Sequence, residues 1–237
     1  MVTDCVIESR HLGLVMPNEI QDFKEKLGKL AKRMEETIDF HGLIELGKSA
    51  PAISVEKETK EYFQSLKNQG EKIKIGLAKD EAFCFFYEDN LKLLEEMGAE
   101  LIPFSPIHDK ELPPDIQGLL LYGGYPELYG KALEENLSMR EQIKEALSKG
   151  MPVLAECGGF IYLHDIFEDE KGVFRQGVGQ IKGKVFNTGK LSRFGYIEAS
   201  CKKPVFGRQL GMCPAHEFHY FDSTSCGADF LCKKAHR

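Results

Sequence analysis

Three short runs in this chain carry residue types that can do chemistry. In the first, Ala155-Glu156-Cys157-Gly158-Gly159, a thiol sits between small residues at the end of the apolar stretch Pro152-Val153-Leu154-Ala155. A nucleophile on a strand-to-helix turn is held out at the carboxyl edge of a sheet, and small neighbours permit the sharp turn. The N-terminus of the helix that follows would favour the thiolate and lower the pKa of Cys157. The N–H of Gly158 would point to where a tetrahedral oxyanion forms. The same spacing also suits a buried structural cysteine beside a glycine turn.

A thiol nucleophile needs a base. Seven histidines are present, and the run His216-Glu217-Phe218-His219-Tyr220 stands out because two of them fall late in the chain, three apart. On an extended segment His216 and His219 point to opposite faces, so only one can readily serve Cys157. The third run, Gly123-Gly124-Tyr125-Pro126-Glu127, follows the apolar stretch Gly118-Leu119-Leu120-Leu121-Tyr122. Glycines there let backbone N–H groups come close to a substrate carbonyl, although a plain strand–helix connection would look alike. A fourth run, Gly42-Leu43-Ile44-Glu45-Leu46-Gly47-Lys48-Ser49, fits the phosphate-loop pattern letter for letter. A phosphate loop needs a strand before it and a helix after it. Here Asp39-Phe40-His41 precedes and Pro51 follows closely, so the run reads as an amphipathic helix ending near Gly47.

The elements that must position these residues fall into two parts. Residues 19–37 repeat apolar side chains at three and four, which predicts an amphipathic helix with Asn18 as its N-cap. A second short helix is expected over 38–46, and the charged stretch 50–70 reads as a linker. From residue 72 strands and helices alternate. Strands are expected at 73–78, 101–104, 118–122 and 152–155. Helices are expected at 87–98, 133–149 and 160–163. Continuous apolar strands between helices imply a parallel sheet covered on both faces. In such sheets sites form where loops leave the carboxyl ends of strands. Beyond residue 173 the pattern turns to β-hairpins, at 178–186 and 194–199.

Taken together, Leu121 to Glu127, Ala155-Glu156-Cys157-Gly158-Gly159-Phe160-Ile161-Tyr162-Leu163 and His216 to Tyr220 resemble cobyrinate a,c-diamide synthases, specifically their C-terminal glutamine amidotransferase half. Glu8-Ser9-Arg10-His11-Leu12-Gly13-Leu14 is similar to a segment late in that family's synthetase half. The resemblance implies a flavodoxin-like class I glutamine amidotransferase domain over residues 71–237. Residues 1–70 would be a mainly helical remnant of the synthetase domain and its linker. It also implies that Cys157 and His219 are catalytic and that Gly123, Gly124 and Gly158 bind substrate or form the oxyanion hole. The expected reaction releases ammonia from glutamine. In the family the ammonia aminates the a and c carboxylates of cobyrinate, or carboxylates of a related tetrapyrrole. ATP and Mg²⁺ belong to the synthetase half, so no cofactor and no metal are expected in this chain, and a separate ATP-binding synthetase fragment is a conceivable partner. One departure matters: many class I enzymes place Glu two residues after the histidine, and here that residue is Phe221.

Composition narrows the field. The 237 residues are 42% hydrophobic and 29% charged, with a formal charge of −6. Such a chain can bury a core without staples, and mild acidity argues against a nucleic-acid footprint or an anionic membrane surface. No apolar run reaches the roughly 18–20 residues that span a bilayer. Seven cysteines, an odd number with no C-x-x-C pair, fit neither a disulfide framework nor a zinc site, and the expected setting is the cytoplasm. Two other functions fit the same fold: a non-catalytic binding module, and a cysteine peptidase or γ-glutamyl hydrolase.

Overall fold

The computed structural model describes residues 5–7, 15–53 and 70–235. The Glu8–Leu14 segment and most of the expected linker lie outside the described residues. The chain divides into two compact units, Met1–Lys60 and Glu61–Arg237.

In the first unit a 3₁₀ turn at Pro17–Glu19 precedes helix α1, Phe23–Thr37. Asn18 is therefore not the N-cap of the helix. Asp22 holds that place, with a left-handed backbone and no capping bond from its side chain. Helix α2 covers Phe40–Lys48, and the Asp39 carboxylate accepts the Gly42 N–H at 2.9 Å. The phosphate-loop letters thus lie in a capped helix, and the Gly42 N–H is committed to its own N-cap. Neither helix buries a residue.

The second unit is built on a four-stranded parallel sheet in the order β2-β1-β3-β4, with β1 Ile73–Ala78, β2 Ala99–Phe104, β3 Gly118–Leu121 and β4 Val153–Ala155. This is the order of a flavodoxin-like doubly wound sheet. Its faces are both covered, as the continuous apolar strands require. Leu119 and Leu121 join one core cluster, with Met139, Ile143 and Phe167. Leu120 and Leu77 join another on the opposite face, with Leu91 of helix α3, Glu88–Glu96.

The helix expected over 133–149 is two helices, α4 Gly130–Glu135 and α5 Leu137–Ser148. Asn136 breaks them apart because its side-chain amide donates to the carbonyls of Pro106 (2.8 Å) and Asp109 (2.7 Å). After β4 comes helix α6, Gly158–Tyr162, and then a second sheet of β5 His164–Glu168, β6 Phe174–Gln176, β7 Ile181–Asn187 and β10 Phe221–Ser223. Its order is β10-β7-β5-β6. The expected hairpin at 178–186 is not one: β7 pairs in parallel with β5 and antiparallel with β10. Strand β8, Arg193–Cys201, pairs with β9, Cys213–His219, and with β11, Phe230–Lys234, in a third sheet. Among the described residues no helix is long and apolar enough to cross a membrane.

Candidate active site

Strands β1, β3 and β4 are neighbours in the parallel sheet, so the loops at their carboxyl ends meet at one edge. Those loops begin at Lys79, Tyr122 and Glu156. The site is assembled from them.

Cys157 stands two residues beyond the end of β4 and caps α6, with φ 47° and ψ −108°. This is a sparsely populated conformation for a residue with a side chain, costing on the order of 1–3 kcal/mol. It is held from both sides. The Glu156 N–H donates to the Leu121 carbonyl at 2.9 Å, and the Gly159 N–H donates to that of Tyr122 at 3.0 Å. Gly159 lies so close to the Leu121 carbonyl that no side chain fits there. The elbow therefore exists because β3 and the start of α6 are pressed together, which only glycine permits at that point.

The glycine turn after β3 lies against the cysteine. A Cβ on Gly123 would stand 3.4 Å from the Cys157 Cβ and 3.8 Å from its Sγ. The backbone N–H groups of Gly124 and Gly158 both face the sulfur and favour the thiolate. They do not decide the outcome. Crowding around the sulfur pushes the Cys157 thiol up, the nearby carboxylate of Glu127 pushes the same way, and these outweigh the two N–H groups. The residue as a whole is exposed, which tempers the effect of burial. The expected lowering by the helix is thus reversed. Helix α6 has only five residues and offers a weak dipole, while Glu127 is itself buried.

Helix and glycine turn are braced by the loop after β1. The Gly123 carbonyl accepts from the N–H groups of Cys84 (3.1 Å) and Phe85 (3.0 Å), and the Tyr125 N–H donates to Ala82 at 3.0 Å. That loop carries no chemical motif in the sequence. Its place, just beyond the carboxyl end of a central strand, is the signal that points to it.

His219 ends β9, half-buried, while His216 is exposed on the opposite face of that strand. The His219 ring Nδ1 lies 2.6 Å from the backbone carbonyl of Phe221. A carbonyl can only accept, so Nδ1 carries the proton and Nε2 is the basic nitrogen. The residue two beyond the histidine, which lacks a carboxylate here, thus orients the ring through its main chain. Among the described residues no hydrogen bond joins His219 to Cys157. No cluster of histidine, cysteine or carboxylate groups able to hold a metal occurs among the described residues.

A parallel α/β sheet with a cysteine on the sharp turn after its last strand, facing two backbone donors, defines a class of thiol-bearing α/β domains. Residues 74–234 match the model of the CobB/CobQ-like glutamine amidotransferase domain, and the chain belongs to that family. A cobyrinate a,c-diamide synthase of Caldanaerobacter subterraneus subsp. tengcongensis is 44% identical over 215 residues, which cover 90% of this chain and 46% of that protein. One from Clostridium tetani is 40% identical over 217 residues, again 90% and 46%. The chain therefore spans about half the length of the curated relatives it matches. A solved glutamine amidotransferase structure overlays 61% of this chain and 70% of its own with a TM-score of 0.44 at 16% identity.

Proposed function

We propose that this chain hydrolyses glutamine and supplies the ammonia for amidation of a corrinoid or related tetrapyrrole. The observation that carries the reading is the thiol of Cys157 on a strained elbow, with the Gly124 and Gly158 N–H groups aimed at its sulfur. Donors placed there reach the oxygen of a carbonyl that the sulfur attacks.

In this reading the Nε2 of His219 takes the thiol proton of Cys157. The sulfur then forms a bond to the side-chain amide carbon of glutamine, and the carbonyl π electrons move onto oxygen. The oxyanion is held by the N–H groups of Gly124 and Gly158, with Gly123 keeping the turn against the thiol. Collapse breaks the C–N bond, His219 returns its proton to the leaving nitrogen, and ammonia departs. Water deprotonated by His219 cleaves the γ-glutamyl thioester, giving glutamate and the free thiol. The raised thiol of Cys157 makes the base necessary, because little thiolate exists at neutral pH without it.

The next step is supported by what the relatives are named for. Ammonia would aminate the a and c carboxylates of cobyrinate or a similar tetrapyrrole. A carboxylate must be activated first, and ATP with Mg²⁺ would do so on a synthetase segment or a separate fragment. The test of the core reaction is direct. Cys157→Ala should lower glutamate release from glutamine by at least about a thousandfold. Full glutaminase activity in that variant would refute the reading.

A further inference from the structure

Asp80 stands two residues beyond β1 and has no part in the chemistry above, yet both oxygens of its carboxylate are tied to backbone beside the glycine turn. One carboxylate oxygen accepts the N–H groups of Ala82 (2.9 Å) and Phe83 (3.1 Å), closing a tight turn around itself. The other accepts the Ser105 hydroxyl (2.8 Å) and the Ile107 N–H (3.0 Å), so the turn is anchored to the loop that follows β2. Ala82 and Phe83 are fully buried.

The anchored turn forms the floor under Gly124. The Ala82 carbonyl that receives the Tyr125 N–H also packs against Gly124, and a Cβ on Gly124 would collide with that carbonyl and stand 3.0 Å from the Cα of Phe83. One residue further on, the Cys84 and Phe85 N–H groups hold the Gly123 carbonyl. The peptide between Gly123 and Gly124 is thus fixed at its oxygen end, and the N–H at its other end is the one aimed at the Cys157 sulfur. A peptide is planar, so fixing the carbonyl fixes the N–H direction.

We infer that Asp80 is a positioning residue that aims the Gly124 N–H at the reacting centre of Cys157. This rests on the proposed glutaminase reading for its catalytic consequence, but not for its geometry. Burial holds the Asp80 carboxyl above the ordinary range, opposed by its four hydrogen bonds, so the group is held in place at some cost to its charge. Such a cost fits a group kept for what it orients.

The test uses the full chain with Asp80→Ala and Asp80→Asn. Two readouts are followed: glutamine kinetics, and the pH midpoint of Cys157 alkylation by iodoacetamide. With the Gly124 donor misdirected, Asp80→Ala should lose about 10–100-fold in kcat with KM changed less than about threefold, since removing an oxyanion donor outright costs about 10²–10³. Its Cys157 midpoint should move up, because one N–H no longer favours the thiolate. Asp80→Asn keeps an acceptor for Ala82 and Phe83 but opposes an amide to the Ile107 N–H. It should show smaller losses in the same directions, and it carries the test if Asp80→Ala does not fold. An unchanged kcat, or a lowered kcat with an unmoved Cys157 midpoint, would overturn the inference. If the wild-type chain does not hydrolyse glutamine, the proposed function fails, while the Cys157 midpoint still decides whether Asp80 aims the donor.

Discussion

Cys157 is held by competing forces. Its backbone is strained by the closeness of β3 and α6, and its thiol is pushed up by its surroundings despite two backbone donors. The direction has a measurable consequence. A raised thiol is protonated at neutral pH, so iodoacetamide alkylation of Cys157 should rise with pH to a midpoint above the ordinary thiol value of about 8.5. Peptide mapping of the alkylated chain measures it, and a midpoint below that value would show that the helix end and N–H groups prevail. The second consequence concerns Gly124. A methyl there meets the Ala82 carbonyl. Gly124→Ala should therefore lower glutaminase kcat by about a hundredfold or more, the scale of losing an oxyanion donor, in a chain whose circular dichroism is unchanged.

At the scale of elements, α6 and β10 are tied by a buried histidine. His164, fully buried, donates from Nδ1 to the Phe160 carbonyl at 2.8 Å and accepts the Ser223 hydroxyl at Nε2, 2.7 Å away. Ser223 in turn accepts the Ser225 N–H. Burial pushes the His164 pKa down, and its hydrogen bonds and Asp165 only partly oppose this. The sign follows: unfolded, this histidine binds a proton near pH 6.5, and folded it does so only at lower pH. Its contribution is intact above about pH 6.5 and is lost as pH falls below that. The urea midpoint of the wild type should drop between pH 7.5 and 5.5, and His164→Phe should flatten that dependence while lowering the midpoint at pH 7.5. An equal pH dependence in both chains would contradict this.

The elements also show what could be read from the chain alone. The strand ends carrying Gly123, Gly124, Cys157 and Gly158 were legible because apolar runs and glycine turns are local signals. The break at Asn136 was not, since it depends on carbonyls some thirty residues away. The acceptor for His219 was hidden for another reason: a backbone carbonyl leaves no side-chain mark, and the sequence offered only the missing carboxylate at Phe221. The direction of the Cys157 shift turned first on the burial of its sulfur and then on the buried carboxylate of Glu127, and both are tertiary facts.

At the scale of the whole molecule, the glutamine amidotransferase family resemblance extends over residues 74–234, and the curated relatives align with more of the chain than that. The helices of the first unit leave Leu27, Leu30, Leu43, Ile44 and Leu46 exposed. The phosphate-loop letters lie in that unit, inside α2. Lys48 is paired with Glu45 at 2.9 Å on the helix surface. Lys48→Ala should therefore leave the affinity of the chain for Mg-ATP unchanged in equilibrium dialysis, and a loss of nucleotide binding would contradict the helical reading. The claim on which the rest depends is that Cys157 is a glutamine-directed nucleophile. It is tested most directly by treating the full chain with a diazo-ketone analogue of glutamine and mapping the adduct by mass spectrometry. One equivalent should bind, on Cys157, with protection by excess glutamine. No adduct, or labelling spread over Cys84, Cys226 and Cys232 without protection, would contradict it.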